Sequence, residues 1–125
     1  MTPNLASYLK KSEEQLATAK TLAAITPTTP SIVHNCYYAF FWAVRGLLTE
    51  KGVIVKKHSG AHQMFGLHYI KTGDVPGKSN DYLYDLFEQR LIAYYDVEGE
   101  FDAEQITTLI QRTEEFLNFV REKYA

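Results

Sequence analysis

Pro30-Ser-Ile-Val-His-Asn-Cys-Tyr-Tyr-Ala-Phe-Phe-Trp-Ala-Val-Arg-Gly-Leu-Leu-Thr-Glu-Lys51 decides the fold. At helical period Tyr37, Tyr38, Phe40, Phe41, Trp42, Val44, Leu47 and Leu48 cover nearly its whole circumference, and a helix apolar all round is buried all round. Its ends are marked as well. Thr29 stands where a residue caps a helix whose first position is Pro30, and Gly52 follows Glu50-Lys51 as a stop. A chain of 125 residues has few elements with which to cover such a helix, so part of its surface is expected to meet another subunit.

The segments on either side read as helices that could do the covering. From Asn4 to about Ile25, Leu5, Leu9, Leu16, Ala19, Leu22 and Ala23 alternate at helical spacing with Lys10, Lys11, Glu13, Glu14 and Lys20. Thr26-Pro-Thr-Thr-Pro30 ends that run, because a helix interior cannot carry two prolines so close together. Val53-Ile-Val-Lys-Lys57 has strand composition, but there is no second strand candidate to pair with it, so an extended connection is expected. Ser59 then caps a short helix to about Ile70, and Thr72-Gly-Asp-Val-Pro-Gly77 is a loop.

A fourth long segment, Ser79 to Tyr95, places Leu83, Leu86, Phe87, Arg90 and Tyr94 on one face. After Val97-Glu-Gly-Glu-Phe101, Asp102 caps a last helix with Ile106, Leu109, Ile110, Phe116, Leu117 and Val120 inward. The expectation is an all-α protein: one domain spanning residues 1–125, an antiparallel four-helix up-down bundle with an additional short helix.

Composition narrows the function. Thirteen basic against fifteen acidic residues, a formal net charge of −2, argue against general binding to nucleic acid or to an anionic membrane, so any RNA or nucleotide contact must be local. One cysteine, Cys36, allows neither a disulfide framework nor a cysteine zinc site and suits a reducing compartment. The start Met1-Thr-Pro-Asn4 lacks the pattern of a secretory leader and no apolar run is long enough to cross a bilayer, so a soluble, cytoplasmic protein is expected. Nine Tyr and seven Phe exceed what a small core needs, and some are expected to face a partner.

Arg90 is the sharpest candidate for chemistry. A guanidinium on an apolar stripe cannot shed its charge, so it pairs, reaches a cleft or binds an anion. Tyr94, Tyr95 and Asp96 follow it at the helix end. Asn35, Tyr38, Trp42 and Arg45 share one face of the second helix and could meet that group in a polar network. The competing reading is a bundle arginine paired with a carboxylate, or a set of hydrogen bonds that only fixes helix register.

His58 and His62 have the four-residue spacing of a metal pair. With no third ligand at a telling distance and no glutamate between them, no metal is expected, and His58 is expected to hydrogen-bond across the bundle. His34 reads as a packing residue. No phosphate-binding glycine loop, nucleophile elbow or dinucleotide fingerprint is present, and no cofactor is expected.

Taken in order, Asn35 to Gly52, Lys57-His-Ser-Gly60, Met64-Phe-Gly-Leu-His-Tyr-Ile-Lys-Thr-Gly73, Leu86-Phe-Glu-Gln-Arg-Leu-Ile-Ala-Tyr-Tyr-Asp96 and the acidic last helix resemble a small single-domain HEPN protein. The resemblance implies a helical bundle that forms a homodimer and is paired with a minimal nucleotidyltransferase as toxin and antitoxin. It also implies a metal-independent ribonuclease site of an arginine and a histidine four to six residues later, with a nearby tyrosine able to receive AMP. Here the arginine is Arg90, while Tyr95 and Asp96 stand where the histidine would be. Tyr94 replaces the aspartate of the subgroup's Ala-Asp-Tyr, so Tyr94, Tyr95 or Asp96 is left to partner the arginine.

A phenol of pKa about 10 and an aspartate of about 3.9 are both poor bases at neutral pH. The resemblance therefore favours a dimeric module that binds RNA, a nucleotide or a protein partner through Arg90, with a degenerate ribonuclease motif. An active ribonuclease with His58 or His62 as base, and a purely structural subunit, are the alternatives.

Overall fold

The computed structural model describes residues 3–125, and among them it contains five α-helices and no strand. Met1 and Thr2, the first half of the N-terminal segment judged above for a leader, lie outside the described residues. Helix α1 (Leu5–Ile25) begins as its sequence dictates: the Asn4 side chain accepts a hydrogen bond from the Ser7 backbone N–H at 3.0 Å. Leu5, Leu9, Leu16 and Ala19 line its buried face.

Helix α2 (Ser31–Glu50) is the centre of the bundle and packs against α1, against α4 (Gly77–Tyr95), against α5 (Ala103–Tyr124) and against the short α3 (His58–Phe65). Val33, Tyr37, Phe40, Val44 and Leu47 have no exposed surface, and the Phe40 ring stacks on Phe116 of α5 with centroids 3.9 Å apart. Four helices of the same chain surround α2 and bury most of it, while Tyr38 and Trp42 stay partly open, so the surface left for the expected second subunit is confined to that strip. Close approach helps: a Cβ at Gly46 would lie 2.9 Å from both Leu5 Cδ1 and Tyr8 Cβ, so α1 is drawn in against a bare backbone there. Gly52 ends α2 with φ +71°, a conformation that side chains disfavour.

Two expected caps are absent. Pro30, not Thr29, holds the cap position of α2 and is already helical in its backbone; Thr29 contributes only its carbonyl, which accepts from the Ile32 N–H at 3.1 Å. Helix α3 starts at His58, one residue before the expected cap Ser59, and no side chain caps it. His58 is drawn into the helix by the bond its ring makes to α2, described below. A π-helical turn, Gly66–Ile70, continues α3, with the Lys71 N–H reaching the Gly66 carbonyl at 2.8 Å.

Val53 to Lys57 is an extended connection as expected. At the start of α5, Asp102 and Gln105 form a reciprocal capping box. No described helix is long and apolar enough to cross a membrane.

Candidate functional site

Arg90 lies in the seam between α2 and α4. Its Nη2 donates to the Tyr38 hydroxyl at 3.2 Å, and its guanidinium carbon stands 5.3 Å from the ring centroids of both Tyr37 and Tyr38. The partner expected from Tyr94, Tyr95 or Asp96 is instead Tyr38, 52 residues earlier in the chain, because the helix crossing brings α2 over Arg90. Among the described residues no carboxylate forms an ion pair with this guanidinium, and its buried Nε has no hydrogen-bond partner. Arg90 is a cation with donors to spare.

Behind Tyr38, the fully buried Tyr37 hydroxyl stands 2.8 Å from His58 Nδ1 and 2.9 Å from His62 Nε2. A phenol has one proton, so it donates to one imidazole and accepts an N–H from the other, which fixes the tautomers of the two rings as a pair. The His58 ring stacks on Phe41 with centroids 4.3 Å apart. Burial, then the charge of Arg90 and of Arg45, lowers the pKa of His58, and burial followed by the neighbouring His58 lowers that of His62 to about 4. Burial raises the Tyr37 phenol well above its ordinary value, although Arg90 works in the opposite direction. The expected hydrogen bond of His58 across the bundle is present, and its partner is Tyr37.

His34, read from sequence as packing, belongs to this group. It is half-buried one turn before Tyr38, its ring meets Tyr94 edge-on with centroids 5.4 Å apart, and burial followed by the charge of Arg90 lowers its pKa. The signal was its four-residue spacing from Tyr38 on the strip that faces Arg90.

The remaining candidates disperse. Tyr95 packs edge-on against Tyr94 with centroids 4.7 Å apart, and both rings are largely exposed. The Asp96 carboxylate accepts from the Glu98 N–H at 2.9 Å in the turn after α4. Asn35 is half-buried and hydrogen-bonds to no described side chain. Arg45 turns away from Arg90, its guanidinium carbon 5.4 Å from the Trp42 ring centroid and 5.6 Å from that of Tyr8. The polar network expected from this strip thus reduces to Tyr38, with Arg45 looking outward. Among the described residues no three His, Cys, Asp or Glu side chains are grouped to hold a metal.

Around this site the chain also exposes apolar side chains unusually for its size. Leu91, Ile92, Tyr94, Tyr95 and Val97 follow one another at the end of α4, each with at least a third of its surface open. Three imidazoles of lowered pKa and two phenols gathered about an arginine that no described carboxylate pairs, beside an apolar patch, define a helical-bundle protein with an uncompensated cation in a helix seam.

The family model for the HEPN domain matches residues 5–123, and the chain belongs to that family. A Thermotoga maritima relative named "UPF0332 protein" is 34% identical over 90 residues, 72% of this chain and 68% of the relative. A Methanocaldococcus jannaschii protein named "Putative toxin MJ0142" is 34% identical over 86 residues, 69% of this chain and 58% of its own length. A second protein of that organism, "Putative toxin MJ0605", is 25% identical over 122 residues, 92% of this chain and 84% of the relative. Membership in a family with toxin-named relatives accords with the resemblance drawn from the α2 and Arg90 segments.

Proposed function

We propose that this protein is the HEPN member of a toxin and antitoxin-like pair with a minimal nucleotidyltransferase, and that as a homodimer it binds RNA or a nucleotide at Arg90. The observation that carries this reading is the state of Arg90: a cation held over two phenol rings in the seam between α2 and α4, with no carboxylate partner among the described residues and a buried Nε that no group accepts from. A phosphate supplies the missing negative charge and accepts two N–H bonds from the guanidinium plane. The apolar run from Leu91 to Val97 beside it suits burial against a second copy, which would place two such clefts near one another. Tyr94 and Tyr95 present accessible hydroxyls for AMP transfer by the partner enzyme.

An active ribonuclease is the second reading, favoured by a specific observation. His34 and His58 both feel the charge of Arg90, which, added to their burial, keeps each imidazole neutral and able to accept a proton near pH 7. Either could take the proton of an RNA 2′-hydroxyl as its oxygen attacks phosphorus. Arg90 stabilises the charge on the phosphorane that forms, and as the bond to the 5′-oxygen breaks, that oxygen takes a proton from water.

Induced expression of the wild type and of Arg90→Ala, each alone and with the adjacent gene, separates the two readings by growth and RNA integrity. Normal growth with intact RNA from folded protein supports the binding module. Arrest with cleavage that vanishes in Arg90→Ala establishes the ribonuclease, and His34→Ala and His58→Ala then identify the base.

A further inference from the structure

Two adjoining depressions run from the Arg90 cluster along α2 and the connection after it. The first, of about 360 Å³, has Tyr38 and His58 at one end and Trp42, Lys56 and Lys57 along it; the second, of about 310 Å³, leads on toward Tyr8 and the exposed Ile54. They share Arg45 and Val55 and so form one track. No carboxylate lines either of them. In this chain of net charge −2, five of the thirteen Lys and Arg residues, Lys20, Lys51, Lys78, Arg112 and Arg121, pair with acidic residues. Among the described residues Arg45, Lys56 and Lys57 form no such pair, so the track is a local concentration of uncompensated positive charge.

Aromatic rings are interleaved with that charge. Tyr8 and Trp42 stack with centroids 6.1 Å apart, and the Arg45 guanidinium stands against both rings, the arrangement in which an arginine keeps its N–H edge free for an anion. Alternating cations and half-exposed rings match a ligand that alternates phosphates and planar bases. The track opens at Tyr38, the residue that holds Arg90.

We infer that this track binds single-stranded RNA, its phosphates on Arg45, Lys56 and Lys57 and a base against Trp42, and that it leads the strand to Arg90. The inference rests on the proposed binding of RNA at Arg90 and extends it to residues outside that cluster. A folded chain of small negative charge gains its affinity for a polyanion from such a local set of cations, and each phosphate contact adds to the salt dependence of binding.

The test uses the full-length chain and a short fluorescein-labelled oligouridylate, followed by anisotropy at several salt concentrations. Unlabelled oligouridylate is titrated against the intrinsic fluorescence of Trp42, the single tryptophan. The triple variant Arg45→Gln, Lys56→Gln, Lys57→Gln, shown folded by circular dichroism, is expected to bind about tenfold or more weakly, with a salt slope shallower by about 2. Wild-type Trp42 fluorescence is expected to be quenched by the oligomer.

Unchanged affinity and slope in the triple variant, with wild-type binding abolished by Arg90→Ala, overturns the track and leaves the Arg90 reading standing. Failure of the wild type to bind overturns both. A change of oligomeric state in the triple variant by light scattering, without loss of RNA affinity, makes the track an interface between copies and overturns it.

Discussion

The seam between α4 and α5 and the seam between α2 and α4 each hold an arginine, and they treat it in opposite ways. Arg112 of α5 donates to the Asp85 carboxylate at 3.1 Å and lies over the Tyr82 ring, 4.8 Å from its centroid. Arg90 has the same kind of aromatic support from Tyr37 and Tyr38 but a neutral hydroxyl in place of the carboxylate. A carboxylate beside an arginine satisfies its charge within the fold; a phenol satisfies one N–H and leaves the charge available. The neighbours follow suit. Around Arg90 the titratable groups are imidazoles held neutral, whereas around Arg112 the charge is already balanced.

The strongest way to break the α2–α4 seam is to remove what supports it. Tyr37→Ala deletes a fully buried ring and the hydroxyl shared by His58 and His62, and a loss of about 3–5 kcal/mol in unfolding free energy is expected from urea denaturation. Tyr37→Phe keeps the ring and isolates the part due to the hydroxyl.

Next comes pH. Folded His62 remains neutral down to about pH 4, while in the unfolded chain it takes up a proton near 6.5. Between those values the unfolded state binds more protons, so stability is fully present above about pH 6.5 and is lost as pH falls toward 4. The shift corresponds to about 3 kcal/mol. The lowered values of His34 and His58 act with the same sign. Urea midpoints measured across this range should fall with acidity in the wild type and much less steeply in His62→Gln.

The smallest expected effects sharpen the comparison most. Arg112→Ala should cost up to about 1 kcal/mol, as a half-exposed ion pair does, and leave RNA binding unchanged. Arg90→Ala should cost about 1 kcal/mol, through its ring contacts and its bond to Tyr38, yet abolish RNA binding. Melting temperatures and anisotropy titrations on the two variants check both halves, and a reversed pattern would assign Arg90 to structure.

Much of the fold was legible because it is written in local spacing. The period of Leu5, Leu9 and Leu16 gives α1, Asp102 marks the start of α5, and the apolar circumference of α2 gives the bundle its centre. That circumference does not say which part is covered: α1, α3, α4 and α5 bury most of it and leave Tyr38 and Trp42 partly open, and a further exposed apolar run lies at the end of α4. At the site, Arg90, Tyr38 and His58 were legible as polar groups on helix faces. His34 was passed over because its four-residue spacing from Tyr38 gains meaning only from the helix crossing that brings Arg90 to that strip.

By itself the sequence determined the helices, their inward faces, the presence of Arg90 on one of them and the family to which the chain belongs. Backbone hydrogen bonds, caps and side-chain periodicity act over a few residues, so they can be read in order along the chain. Only the tertiary structure decided that Arg90 meets Tyr38 and not Asp96, that Tyr37 ties two histidines together, and that Arg45, Lys56 and Lys57 border one track. Those choices follow from the depth and crossing of whole helices, set by the packing of Gly46 against α1 and of Phe40 against Phe116, contacts between residues far apart in the chain.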